Sequence, residues 1–163
     1  MAKTGKVDKI TKEIKETIAD LLEKLKIEAE VEVTEELTES AGEASHYKVN
    51  IKTAETGLLI GHHGETLNSL QLISGVILYK KTGKWVRVIL DVGDYRKVRE
   101  DYIRDMVERI VAEVEEKGLP VTLPFFSPLE RRIVHMMLST NPKVTSESTG
   151  EGKDRRVTIK LRV

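Results

Sequence analysis

The sequence predicts an α+β protein built from two small modules. Two periodicities and one long helix carry that prediction. Apolar residues recur every three or four positions around residues 7–26, 65–81, 94–117 and 128–138, the spacing that lines one face of a helix. Between these stretches apolar and polar residues alternate, as in Glu28–Val33 and Tyr47–Lys52, the pattern of a strand with one buried face. The long helix around 94–117 separates two runs of elements, so it marks a junction between residues 1–93 and residues 94–163. A chain of 163 residues has length enough for two small cores.

Taken in order, Val7, Ile10, Ile14, Ile18, Leu21 and Leu25 form the stripe of the first helix. Ala29, Val31 and Val33 share one face of a strand, and Glu28, Glu30 and Glu32 the other. Polar Thr34–Ser45, with Gly42, is expected to be a loop. Tyr47, Val49 and Ile51 alternate with Lys48, Asn50 and Lys52 in a second strand, expected antiparallel to the first. One apolar helical turn follows Thr56, then Gly61-His62-His63-Gly64. The next helix turns Leu67, Leu70, Ile73, Ser74 and Ile77 inward and stops at Gly83. Trp85–Val92 is nearly all apolar and reads as a third strand.

In the second module, Asp94 is placed to cap a helix with the stripe Tyr95, Val98, Tyr102, Met106, Ile110 and Val114, ended by Gly118. Leu119–Leu123, cut by Pro120 and followed by Pro124, is an edge strand at most. Ser127-Pro128-Leu129-Glu130 sets a serine cap, a proline at the first helical position and an acid in the first turn. That helix is expected to end near Leu138. Lys143–Ser148 and Arg155–Val163 are two strands joined by a turn at Gly150 and Gly152.

Composition excludes several function classes. There are no cysteines, so disulfides and thiolate metal sites are out, which fits a reducing, cytoplasmic setting. No run of eighteen apolar residues is present, so stable membrane insertion is not expected, and the charged N-terminus lacks a signal-peptide core. The net charge is zero, yet it is unevenly spread. Residues 1–55 carry net −4, residues 56–93 net +2, residues 94–118 net −2 and residues 119–163 net +4. Basic faces are therefore expected around Gly61–Gly64 and in the C-terminal segment.

The G-x-x-G element is the first chemical motif. Glycines allow a tight turn and a close approach of phosphate to the main chain. A helix that opens after them aims N–H groups and its positive dipole end at the same point. Alone, such a tetrapeptide is equally a plain turn. Its position after α-β-β-α and before α-β resembles the type II KH domain. Glu65-Thr66-Leu67-Asn68-Ser69-Leu70-Gln71 resembles the corresponding helix start of the bacterial Jag family, also called SpoIIIJ-associated or KhpB proteins. Glu130-Arg131-Arg132-Ile133-Val134-His135, followed by Val144–Ser148 and Arg155–Ile159, is similar to that family's Arg-x-x-x-His domain for single-stranded nucleic acid, expected here as α-β-α-β-β. The resemblance covers residues 8–163. Jag proteins usually begin with a further small domain and linker, which this sequence does not show.

The resemblance implies that Gly61, His62, His63 and Gly64 clamp about four single-stranded nucleotides, with the bases on a groove drawing on Leu58, Ile60, Leu67 and Leu70. The alternative for these leucines is core. The loop carries no Lys or Arg, where the family often does. Imidazoles with an ordinary pKa of ~6.5 are mostly neutral at pH 7, so they would act as hydrogen-bond donors, or as plain turn residues. Arg131 and His135 are four apart, one helical turn on one face. A guanidinium fork suits phosphate and the His135 imidazole is expected to add one more donor, and Lys143, Lys153, Arg155 and Arg156 are candidates to extend the patch. The alternative places His135 half-buried under the sheet and pairs Arg131 with Glu130 or another acid.

No catalytic residue, metal site or cofactor is expected. His46, His62, His63 and His135 lack ligand spacing, no carboxylate cluster accompanies Arg131 and His135, and the phosphate-loop and dinucleotide fingerprints are absent. The expected function is binding single-stranded RNA, with single-stranded DNA as the competing ligand. The family resemblance implies an RNA chaperone or post-transcriptional regulator in the cytoplasm, linked to cell elongation and cell-wall homeostasis, working with a second small KH protein. The competing expectation is a protein–protein adaptor in which the KH fold forms a homo- or hetero-dimer.

Overall fold

The computed structural model describes residues 4–36 and 46–162. They form two units, residues 1–96 and 97–163. The first is α1 (Thr4–Lys24), β1 (Ala29–Glu36), β2 (His46–Thr53), α2 (Thr56–Ile60), a single 3₁₀ turn (His62–Gly64), α3 (Glu65–Thr82) and β3 (Val88–Val92). β1 and β2 are antiparallel, and β3 joins β2 in parallel with Tyr47 opposite Val88 and Ile51 opposite Val92. The order α-β-β-α-α-β is the one expected.

The core of this unit is the inner face of the sheet (Val31, Val49, Ile51, Leu90, Val92) against Ile14, Ile18 and Leu22 of α1 and Leu67 and Leu78 of α3, all nearly inaccessible. Truncating one of these to alanine typically costs about 2–5 kcal/mol. Three expectations need correction. Leu25 is exposed because α1 ends at Lys24 and the chain reverses through Lys26 at φ 60. The Ile27 N–H donates to the Leu22 carbonyl at 3.0 Å, a Schellman-type cap in which Ile27 and Leu22 close the core. Ile73 is half exposed, and Leu78 takes its place in the stripe with Leu67, Leu70 and Ser74. β1 runs on to Glu36, so Thr34–Glu36 is strand; the rest of the expected loop, residues 37–45, lies outside the described residues.

β3 begins at Val88 rather than Trp85, whose indole is exposed and tilted against Tyr79, with 6.2 Å between centroids. The start of the long helix α4 (Tyr95–Lys117) also differs. Asp94 sits at φ 57. The carboxylate that serves the helix start is Asp91, whose Oδ1 accepts from the Arg96 N–H (3.2 Å) and the Val92 N–H (2.9 Å). Arg96 in turn donates through Nε to the Leu90 carbonyl (2.7 Å) and through Nη2 to Gln71 Oε1 (3.0 Å).

The second unit holds most of α4, then β4 (Val121–Thr122), α5 (Pro128–Leu138), β5 (Val144–Thr149) and β6 (Arg156–Leu161). Its sheet is antiparallel in the order β4-β6-β5, so β4 is the expected edge. Ile103, Val107 and Val114 of α4 pack with Phe126, Val134, Leu138, Val144, Val157 and Ile159. Val98 and Tyr102, expected in the stripe, are exposed. Tyr95 packs on the first unit's core while Ile103 begins the second's. Within the second unit the stripe runs through Ile103, Val107 and Val114, so the periodic pattern places Tyr102 and Met106 one residue early.

α5 opens as expected. The Ser127 hydroxyl accepts from the Glu130 N–H, and Glu130 returns an oxygen to the Ser127 N–H at 2.7 Å, a capping box. Glu130 is buried, and its other oxygen accepts from Arg99 Nε at 2.7 Å. Among the described residues no helix is long and apolar enough to cross a membrane, and no group of three potential metal ligands is found.

Candidate nucleic-acid interface

In the first unit, the G-x-x-G segment is a run of backbone conformations that few residues adopt. Gly61 has φ 68 and ψ −169, His63 has φ 53 and Gly64 has φ 84. A Cβ on Gly61 would lie 2.0 Å from the Thr66 hydroxyl oxygen, and one on Gly64 would lie 3.0 Å from the Tyr95 ring. Gly61 is thus required by shape as well as by φ, and Gly64 is favoured chiefly by its φ. No side chain caps the start of α3, whose first N–H, that of Glu65, donates to the His62 carbonyl within the 3₁₀ turn. His62 is exposed, and its ring stacks on that of His63 with centroids 4.0 Å apart.

The expected groove is only partly present. Leu58 is 60% exposed and Ile60 is partly buried, whereas Leu67 and Leu70 are 1% and 7% exposed. Leu67 and Leu70 are core: they point under α3 into the sheet and cannot meet a base. The sequence pattern does not separate Leu58 from Leu59, the α2 residue that is buried.

In the second unit, α5 and the β5–β6 turn border an open cleft of about 420 Å³. Arg131, Arg132, His135 and Met136 line it from the helix, and Ser148 and Arg155 from the sheet side. No carboxylate is among its lining residues. One Arg131 nitrogen donates to the Phe126 carbonyl at 2.7 Å, which fixes the guanidinium while its other donors stay available. Arg131 therefore does not pair with Glu130, which belongs to Arg99.

His135 is half-buried, and both ring nitrogens are taken: Nδ1 lies 2.7 Å from the Ser146 hydroxyl and Nε2 lies 2.7 Å from the Ser148 hydroxyl. The expectation that His135 itself offers a spare donor is corrected. Three further cations lie elsewhere. Lys143 pairs with Glu115 at 2.8 Å, at the far end of β5, about 17 Å along the strand from Ser148. Arg156 stacks over Phe125 at 5.4 Å and donates to the Lys153 and Arg155 carbonyls (2.6 and 3.1 Å). Lys153 is exposed on the turn and does not line the cleft.

Sequence reasoning missed Arg132 and Ser148 as cleft residues. Signals existed for both. Arg132, His135, Met136 and Ser139 repeat at helical spacing along one face of α5. Val144, Ser146 and Ser148 alternate on the inner face of β5, so two serines occupy positions where a core strand would carry apolar residues.

Comparison with known proteins agrees with this division. Residues 15–90 match the family model of the KhpA/KhpB KH domain, and residues 101–161 match the family model of the domain named for its Arg-x-x-x-His signature. RNA-binding protein KhpB of Clostridium symbiosum is 33% identical over 132 residues, covering 81% of this chain and 58% of that protein. Its namesake in Lactiplantibacillus plantarum is 36% identical over 114 residues, covering 70% of this chain and 35% of that protein. The Bacillus subtilis protein is 28% identical over 114 residues, covering 69% and 55%. The chain thus spans between a third and three fifths of the length of these relatives. With the G-x-x-G turn in one unit and the Arg-x-x-x-His helix in the other, residues 15–90 belong to the KhpA/KhpB KH family and residues 101–161 to the Arg-x-x-x-His domain family, and the chain is a KhpB/Jag-like protein carrying both domains.

Proposed function

We propose that this chain binds single-stranded RNA, mainly through its phosphates, using the Gly61–Gly64 loop in one module and the α5 cleft in the other. The observation that carries this proposal is the cleft: Arg131, Arg132 and Arg155 line one concavity with no acid among its lining residues. Three guanidiniums so placed repel one another unless an anion joins them, and phosphate oxygens match their fork geometry. The loop adds two glycines at positive φ, Gly61 and Gly64, and the exposed His62 ring. The relatives named as RNA-binding proteins support the same ligand. The KH module is assigned to residues 1–93 and the Arg-x-x-x-His module to residues 94–163. The action is binding and not catalysis. A chaperone or post-transcriptional role in the cytoplasm, tied to cell elongation and the cell wall, extends the proposal through family resemblance.

Fluorescence anisotropy of the full chain with a labelled single-stranded RNA decamer tests it. Arg131→Ala is expected to weaken binding about tenfold or more, as loss of a charge-assisted contact does. Unchanged affinity removes the cleft from the site. A matching DNA decamer measures the competing ligand.

A second reading, docking of a partner protein, is favoured by one observation. Leu72, Ile73, Val76 and Tyr79 of α3, with neighbouring Trp85, are each 46–64% exposed and form one apolar stripe. Apolar surface gathered in this way marks interfaces. A second KH protein is the proposed occupant. Sedimentation velocity of the chain, alone and with a small KhpA-type KH protein, is expected to show a dimer that Leu72→Glu dissolves. A monomer under both conditions rejects this reading.

A further inference from the structure

Ser148 is a ligand-contacting residue whose hydroxyl is aimed by His135: so we infer, on the premise that the α5 cleft holds RNA phosphate. The geometry begins with the imidazole. It lies between two serine hydroxyls of β5, each at 2.7 Å, one on either ring nitrogen. A neutral imidazole has one N–H donor and one bare acceptor nitrogen. One serine must therefore accept from the ring and the other must donate to it. The two serines differ in what else they can reach. Ser148 lines the cleft with Arg131, Arg132 and Arg155, whereas Ser146 does not.

An anionic oxygen in the cleft needs donors. If Nε2 carries the proton and donates to Ser148 Oγ, the Ser148 proton is released to point at the anion. Ser146 then closes the chain by donating to Nδ1. In the other tautomer, Ser148 spends its only proton on Nε2 and turns lone pairs toward the anion. A bound phosphate thus selects the Nε2–H form. His135 is a positioning residue here: both of its ring nitrogens are engaged by the serines, and it sets which way the Ser148 hydroxyl points. Hydroxyls suit this task because they rotate to either role without moving a heavy atom.

The test uses the full chain and the same RNA decamer, with circular dichroism to verify folding. Ser148→Ala is expected to weaken binding about tenfold, the usual effect of losing a hydrogen bond to a charged group. Its salt dependence should match the parent, because no cation has been removed. Ser148→Thr should restore most of the affinity. Nitrogen-15 correlation spectra of His135 in the complex should show the proton on Nε2. An unchanged Ser148→Ala affinity, or an Nδ1–H tautomer in the complex, overturns the inference. If Arg131→Ala, Arg132→Ala and Arg155→Ala also leave affinity and salt slope unchanged, the cleft proposal itself fails. If they weaken binding while Ser148→Ala does not, only the role of Ser148 fails.

Discussion

The double substitution of His62 and His63 by Asp is expected to weaken single-stranded RNA binding about 100-fold at 0.1 M salt. Two carboxylates would replace two imidazoles beside a phosphate path. A like charge at about 5 Å costs roughly 1–2 kcal/mol at a water-exposed protein surface, and two of them multiply. The fold should survive. His62 is exposed, and His63 sits at φ 53, a region that Asp tolerates better than most residues. Binding by anisotropy and melting by circular dichroism are the paired measurements. Full affinity with an intact fold would show that the loop is only a turn between α2 and α3.

Glu130→Ala is expected to destabilise the second unit by about 3 kcal/mol, a large effect for a polar residue. Glu130 is nearly inaccessible and serves two partners at once. It accepts from Arg99 Nε and from the Ser127 N–H, each at 2.7 Å. Truncation removes a half of the capping box, worth about 1 kcal/mol, and takes the carboxylate from a mostly buried guanidinium, which costs more. For a unit of this size the melting temperature should fall by about 15 °C. Glu130→Gln should fall less, because its amide oxygen can still accept from Ser127. A loss below about 1 kcal/mol for the alanine variant would mean that the pair is a surface-like contact. The residue matters for function through its neighbour: the same helical start that Glu130 fixes also sets the direction of Arg131.

Much of this architecture is legible in the sequence. Alternation in Ala29–Val33 and Tyr47–Ile51 places both strands, because each has one polar and one apolar face. Ser127-Pro128-x-Glu130 places the start of α5 to the residue, because capping depends on local chemistry alone. Failures share a cause: they depend on neighbours distant in sequence. Leu58 and Leu59 are chemically identical, and only the packing of α2 on the core decides which is buried. Ile73 and Leu78 compete for the same stripe, and the sheet selects Leu78. Asp94 has the composition of a cap, but Asp91 is the carboxylate that β3 delivers to the helix start. In the candidate site, Arg131 and His135 follow from i, i+4 spacing. The separation of Arg155, in the cleft, from Lys143, Lys153 and Arg156, outside it, requires the β5–β6 register. The serine pair that holds His135 requires it too.

The most direct test of the central claim is a salt titration of the full chain on a single-stranded RNA decamer. Three guanidiniums on phosphates predict that log Kobs falls with log salt at a slope of about −2, and that Arg131→Ala makes it shallower by about 0.7. A flat response, or a slope indifferent to Arg131, would contradict phosphate recognition by the α5 cleft.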